Sequence, residues 1–256
     1  MHRQILTIAR FTLLEALRTR LPWLVLLALA VALGGSLFVH QITITESGRI
    51  QTTFLAAFAR LASVFVVSLY IISTMVREFN DKGLELMLSL DLPRATYLFG
   101  KLAGFAVIAA LVALAMTLPL LHLAPSAAAL LWGASLALEL LIVAALSLFC
   151  VITFSQIMPA ASFVLAFYLL SRSITAIRLM STTALLDELN PGRGVMTFIA
   201  DALALILPPL DTFTQSAWLI DANGGSNDLA RIAAHSAIYV ALLVAAAMFD
   251  FYRKNL

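Results

Sequence analysis

The sequence predicts an all-α integral membrane protein with six transmembrane helices. An amphipathic helix lies in the membrane surface at the N-terminus, and a partly inserted outer segment precedes the last span. Three observations predict this. Hydrophobic residues make up 62% of the chain and charged ones 12%, with a mean hydropathy of +1.00. A soluble domain carries about twice that charge. Apolar runs of crossing length recur along the chain, and 256 residues leave room for about six helices of ~20 apolar residues each in a single membrane domain, 1–256. The charges, finally, gather into a few short intervals between those runs.

Residues 1–20 place Leu6, Ala9, Leu13, Ala16 and Leu17 on one helical face, with Arg3, Thr7, Arg10 and Arg18 opposite. That is an interfacial helix with an apolar side for the acyl boundary and arginines for headgroups or a partner. The simpler alternative is a positively charged flank. No cleavable signal peptide is expected, because this stretch precedes the first long apolar run. Pro22 suits a first helical turn, and the first span covers residues 21–39, with Trp23 at interface depth. Residues 40–60 read as an outside loop. The second span, 61–76, is short, so residues 54–59 extend it if Arg60 snorkels or is paired. The third span runs over 102–121, opened by the small-xxx-small pair Gly100 and Gly104 and kinked or stopped by Pro119. A tight turn leads to the fourth span, 127–152, which holds Glu139 near its centre. The fifth, 159–177, begins at Pro159 and contains Arg172. Residues 178–230 form an outer segment, in which 195–210 is a re-entrant or interfacial stretch of marginal length for crossing. The last span covers 232–249.

Charge sets the expected orientation. With both termini cytoplasmic, inside segments hold ten Lys/Arg: Arg3, Arg10, Arg18, Arg20, Arg77, Lys82, Arg94, Lys101, Arg253 and Lys254. Outside segments hold five: Arg49, Arg60, Arg178, Arg193 and Arg231. This is a positive-inside distribution. A seventh crossing at 195–210 would put one terminus on the wrong side. The expected location is a cell's inner (cytoplasmic) membrane.

Residues 77–101 are the longest polar interval, holding Arg77, Glu78, Asp81, Lys82, Glu85, Asp91, Arg94 and Lys101. Leu84, Met87 and Leu88 are spaced i, i+3, i+4, so a helix here carries one apolar stripe with Glu85 on its polar side. Pro93 holds Leu92 extended and predicts a break before a second short helix. The pattern Gly83, Glu85, Ser89, Pro93, Arg94, Gly100, Lys101 resembles the loop between the second and third spans in permease subunits of ATP-binding-cassette transporters, type-2 exporter-like class. Asp91 stands where that family more often has Pro. The resemblance implies a coupling helix that docks a separate ATPase subunit through Arg77, Glu78, Gly83, Leu84, Glu85, Met87, Leu88, Ser89, Arg94 and Lys101. It also implies a second permease copy, identical or not, and ATP with Mg bound by the partner ATPase rather than by this chain.

Catalytic motifs are absent from the sequence. Gly100-Lys101 lacks the preceding glycine and the following Ser or Thr of a nucleotide-binding loop, and no HExxH or GxSxG occurs. His2, His40, His122 and His235 are scattered, and the lone Cys150 excludes an intrachain disulfide. Net charge +2 without a basic cluster argues against nucleic-acid binding. A mid-bilayer carboxylate costs roughly 2.5–3.5 kcal/mol on insertion scales, so Glu139 must face protein or water. It is either a substrate-path or relay group, or a group hydrogen-bonded across the bundle to Ser, Thr or arginine. Arg172 either joins it or snorkels outward. The expected function is a non-enzymatic permease subunit of an ATP-driven exporter. The alternatives are a non-transport membrane scaffold or assembly factor, and an intramembrane enzyme built on Glu139.

Overall fold

The computed structural model describes residues 2–43, 46–81, 93–182 and 193–253. Among these residues the regular structure is all helical, with no strand. The elements are α1 (His2–Arg18), α2 (Leu21–Ile42), α3 (Ser47–Asn80), α4 (Arg94–Thr117), α5 (Leu120–Leu123), α6 (Ser126–Phe154), α7 (Ile157–Thr182), α8 (Arg193–Ile206), α9 (Ser216–Asp221) and α10 (Ser226–Arg253). A 3-10 turn, Leu210–Thr212, lies between α8 and α9. Six helices are long and apolar enough to cross a membrane: α2, α3, α4 continued through α5, α6, the first 23 residues of α7, and α10. Six such helices among the described residues suit a multi-pass membrane protein.

Helix α6 is the centre. It is the most buried span and packs against α3, α4, α7 and α10. Residues along it such as Ala129, Trp132, Leu136, Leu140 and Val143 are buried. Its polar members are absorbed locally or by neighbours. The Ser147 hydroxyl donates to Val143 O at 2.7 Å, and Ser236 of α10 donates to Leu138 O at 3.2 Å. Helix α2 lies outside α3, with Gly35 facing the ring of Phe54 so closely that an added Cβ would meet it at 2.9 Å.

The expected loop over residues 40–60 is corrected, although the helical extension allowed for residues 54–59 with a paired Arg60 is present. Residues from Ser47 onward already belong to α3, a single helix of 34 residues. Its first half buries Gln51, Thr52, Leu55, Ala56 and Ala59, a helical stripe continuous with Ser63 and Val67 in the apolar half. The hydroxyls of Thr52 and Ser63 donate to Gly48 O and Ala59 O at 2.8 and 2.6 Å, so polar residues enter the packed face with their donors satisfied. A second correction concerns Pro93. It stands in extended conformation just before α4, as expected, but Arg94 opens one continuous helix rather than a separate short one. Leu118 and Pro119 keep right-handed helical dihedrals, so α4 and α5 continue as one rod with a gap in the hydrogen-bond ladder at the proline. The coupling helix expected over residues 83–90 lies outside the described residues.

Gly100 meets Ile8 and Arg94 meets Phe251, so the first half of α1 and the end of α10 lie at the same end of the bundle, here called proximal. Ser155, in left-handed conformation at φ 56°, ends α6 there and turns the chain into α7. Helix α1 joins the bundle by a face that the sequence did not single out. Ile8, Thr12 and Ala16 are buried, whereas Leu6 and Leu17 are 73% and 52% exposed. The glycines of α4 explain this. A Cβ on Gly100 would lie 2.7 Å from Ile8 Cβ, and one on Gly104 would lie 2.7 Å from Thr12 Cβ. The constant offset, 8 to 100 and 12 to 104, shows α1 running alongside the start of α4 in the same direction. The small-xxx-small pair is the seat of the N-terminal helix.

Candidate functional site

Two polar clusters stand out, one at the proximal end of the bundle and one, here called distal, farther along it around the middle of α6. The proximal one flanks the polar interval 82–92. Lys101 Nζ of α4 lies 2.5 Å from Glu78 Oε2 of α3, with side-chain exposures of 6% and 17%. The ammonium also lies 5.9 Å from the centre of the Tyr97 ring. Arg77 pairs with Glu15 of α1 at 3.0 Å. Arg94 donates to Phe251 O of α10 at 2.7 Å and stacks over the Phe251 ring at 5.7 Å. The two helices entering and leaving the interval are thus joined to each other, to α1 and to α10. An open cleft of about 630 Å³ lies among them, lined by Ile8, Phe11, Glu15, Arg77, Glu78 and Lys101.

Arg77, Glu78, Arg94 and Lys101 therefore sit together, whereas Gly83, Leu84, Glu85, Met87, Leu88 and Ser89 lie outside the described residues. Arg3, Arg10 and Arg18 are exposed on the side of α1 turned away from α4. Glu15 and Phe251 were not among the residues singled out from sequence. A lone acidic residue in a basic helix was the only available signal for the first. A backbone carbonyl acceptor leaves no signal at all.

The distal cluster is built around Glu139, fully buried at the middle of α6. Burying a charge this way is tolerable only with partners. Tyr168 of α7 donates its hydroxyl to Oε1 at 2.9 Å, and Thr214 donates to Oε2 at 2.8 Å. Arg172, one turn along α7 from Tyr168, lies 3.6 Å from Oε1. The same guanidinium donates to Leu210 O at 2.5 Å and Phe213 O at 3.1 Å. Arg60 of α3 donates to Thr214 O at 3.2 Å, and Thr214 N–H donates to Ser135 Oγ at 3.0 Å.

Sequence reasoning singled out Glu139 and Arg172 but not Tyr168, Ser135 or Thr214. Thr214 is 75 residues from Glu139 in sequence, and nothing in a Pro-flanked polar stretch marks which residue will reach a carboxylate. Chemically, both Glu139 oxygens are engaged by donors, an arrangement suited to holding structure rather than to accepting a substrate proton. Among the described residues no group of His, Cys, Asp and Glu could hold a metal ion. Neither the scan of protein-family models nor the search of curated proteins matches this chain.

Proposed function

We propose that this chain is the membrane subunit of an ATP-driven transporter of the cassette type, and that a separate ATPase docks on residues 77–101. One observation carries the reading. The helices on either side of that interval are coupled by the shielded Glu78–Lys101 ion pair, and Arg77 and Arg94 extend the coupling to α1 and α10. A push delivered between α3 and α4 is therefore shared by four helices rather than spent on a loop, which is what a force-receiving element needs. Leu84, Met87 and Leu88 then supply the apolar anchor for the ATPase, and Glu85 sets its register. The membrane domain pairs with a second copy, the termini face the cytoplasm, and ATP and Mg stay with the ATPase. Export is the direction implied by the resemblance in the loop.

A photoreactive amino acid at Met87, activated in native membranes, tests the dock. The expected product is a crosslink to a chain that is retained on immobilised ATP, lost when Leu88→Asp is added and only weakened by Glu85→Ala. Crosslinks to lipid alone, unchanged by Leu88→Asp, would mean that the helix merely rests among headgroups.

A further inference from the structure

We propose that residues 207–215 form a movable plug seated among α3, α6 and α7, and that Glu139 is the latch that holds it. The observations start at Thr214. Its φ of 46° puts a β-branched residue in the left-handed region, which such a residue adopts only under constraint. Its amide, carbonyl and hydroxyl are bonded to Ser135, Arg60 and Glu139, so that three polar groups of one strained residue are bound to two different spans. Arg172 of a third span clamps the carbonyls of Leu210 and Phe213 and touches the Thr214 hydroxyl at 3.3 Å.

The plug body is apolar: Leu207, Leu210 and Phe213 are each no more than 3% exposed. It is entered through Pro208 and Pro209, which stiffen the approach so that the segment moves as a unit. The seated state is also imperfectly satisfied. Asp211 Oδ1, within the segment itself, is buried with no hydrogen-bond partner, a cost that unseating relieves. Local strain and this unpaired oxygen favour release, and the Glu139 and Arg172 bonds oppose it. Such a balance makes a two-state element rather than a fixed cap. Glu139 is a positioning residue here: it acts through Thr214. In the transporter reading above the plug closes the distal end of the bundle, and that consequence rests on that reading. The latch itself does not.

Amide hydrogen exchange of the full chain in lipid nanodiscs, read peptide by peptide, tests the latch without any ATPase. Glu139→Gln and Thr214→Val should each speed exchange over residues 207–215 about tenfold or more, the size expected for losing a hydrogen bond to a charged group. Peptides of α6 and α10 should keep wild-type rates, and Thr214→Ser, which retains the hydroxyl, should restore slow exchange. Unchanged exchange over 207–215 in both variants would show that apolar packing alone seats the segment and would overturn the proposal. Uniform acceleration across the bundle would also overturn it, because Glu139 would then be a general packing residue. Should Glu139→Gln fail to fold, Thr214→Val against Thr214→Ser decides alone. A Ser135→Cys/Thr214→Cys disulfide in a Cys150→Ala background then separates the two readings. If it abolishes ATP-coupled transport reversibly, the plug moves during work; if transport persists with the disulfide closed, the plug is no part of the cycle even where the latch stands.

Discussion

Glu78 and Lys101 illustrate how the energetic weight of an ion pair depends on its surroundings. Their side chains keep only 17% and 6% exposure, so removing one partner strands a charge. Glu78→Ala should therefore destabilise the protein, at the low end of the ~3–5 kcal/mol found for broken buried pairs, given the residual exposure of Glu78. The double variant Glu78→Gln/Lys101→Met should recover much of that loss, since the stranded charge is removed as well. Arg49 and Asp221 provide the contrast. They pair at 2.9 Å but are 55% and 45% exposed. Asp221→Ala should change stability by less than about 1 kcal/mol. Thermal unfolding in one detergent measures all three. Equal losses in Glu78→Ala and Asp221→Ala would show that shielding does not separate the two pairs.

At the scale of elements, α1 and α4 meet at a seam with no spare room. An alanine at Gly104 would bring its Cβ to 2.7 Å from Thr12 Cβ and 3.1 Å from Ala9 O, and the second of these is backbone that cannot turn aside. Gly104→Ala should cost about 1–3 kcal/mol, the usual penalty of overpacking, and should loosen α1 selectively. Limited proteolysis within residues 3–18 is the measure. Faster cleavage there with α6 still protected is expected; a normal digestion pattern would mean that the seam gives way without consequence. By contrast Gly34 and Gly48 have nothing within 4 Å of an added Cβ, so alanine should be accepted at either site. The seam also gives α1 a role beyond membrane contact, because Glu15 brings it to Arg77 at the edge of the proximal cleft.

For the whole molecule, the 28-residue α10 places residues 222–225 and Arg253 at opposite ends of the bundle. Cysteine labelling with Cys150 replaced should therefore find Asn223→Cys and Lys254→Cys reactive from opposite sides of a sealed membrane. Under the proposed orientation with cytoplasmic termini, which rests on the ten-to-five split of basic residues, Lys254→Cys is the position labelled from the cytoplasmic side. Labelling of both positions from one side would mean that α10 does not cross.

The number and order of the spans were legible in the sequence because a bilayer imposes a length and composition on every crossing, and neither depends on a partner. The central position of Glu139 and the close-packing pair Gly100 and Gly104 were legible for the same reason: each violates or serves a local rule. What these residues meet was decided only by the tertiary structure. Gly100 and Gly104 could have received any neighbouring helix, and they receive Ile8 and Thr12 of α1. The helical course of residues 47–53 was hidden because buried Gln51 and Thr52 resemble loop residues until a packed face is known. Thr214 owes its place to a chain that leaves α7, returns through Pro208 and Pro209 and ends its path on Glu139. A contact between residues 75 apart is a property of that path, which no local pattern of hydrophobicity or charge encodes.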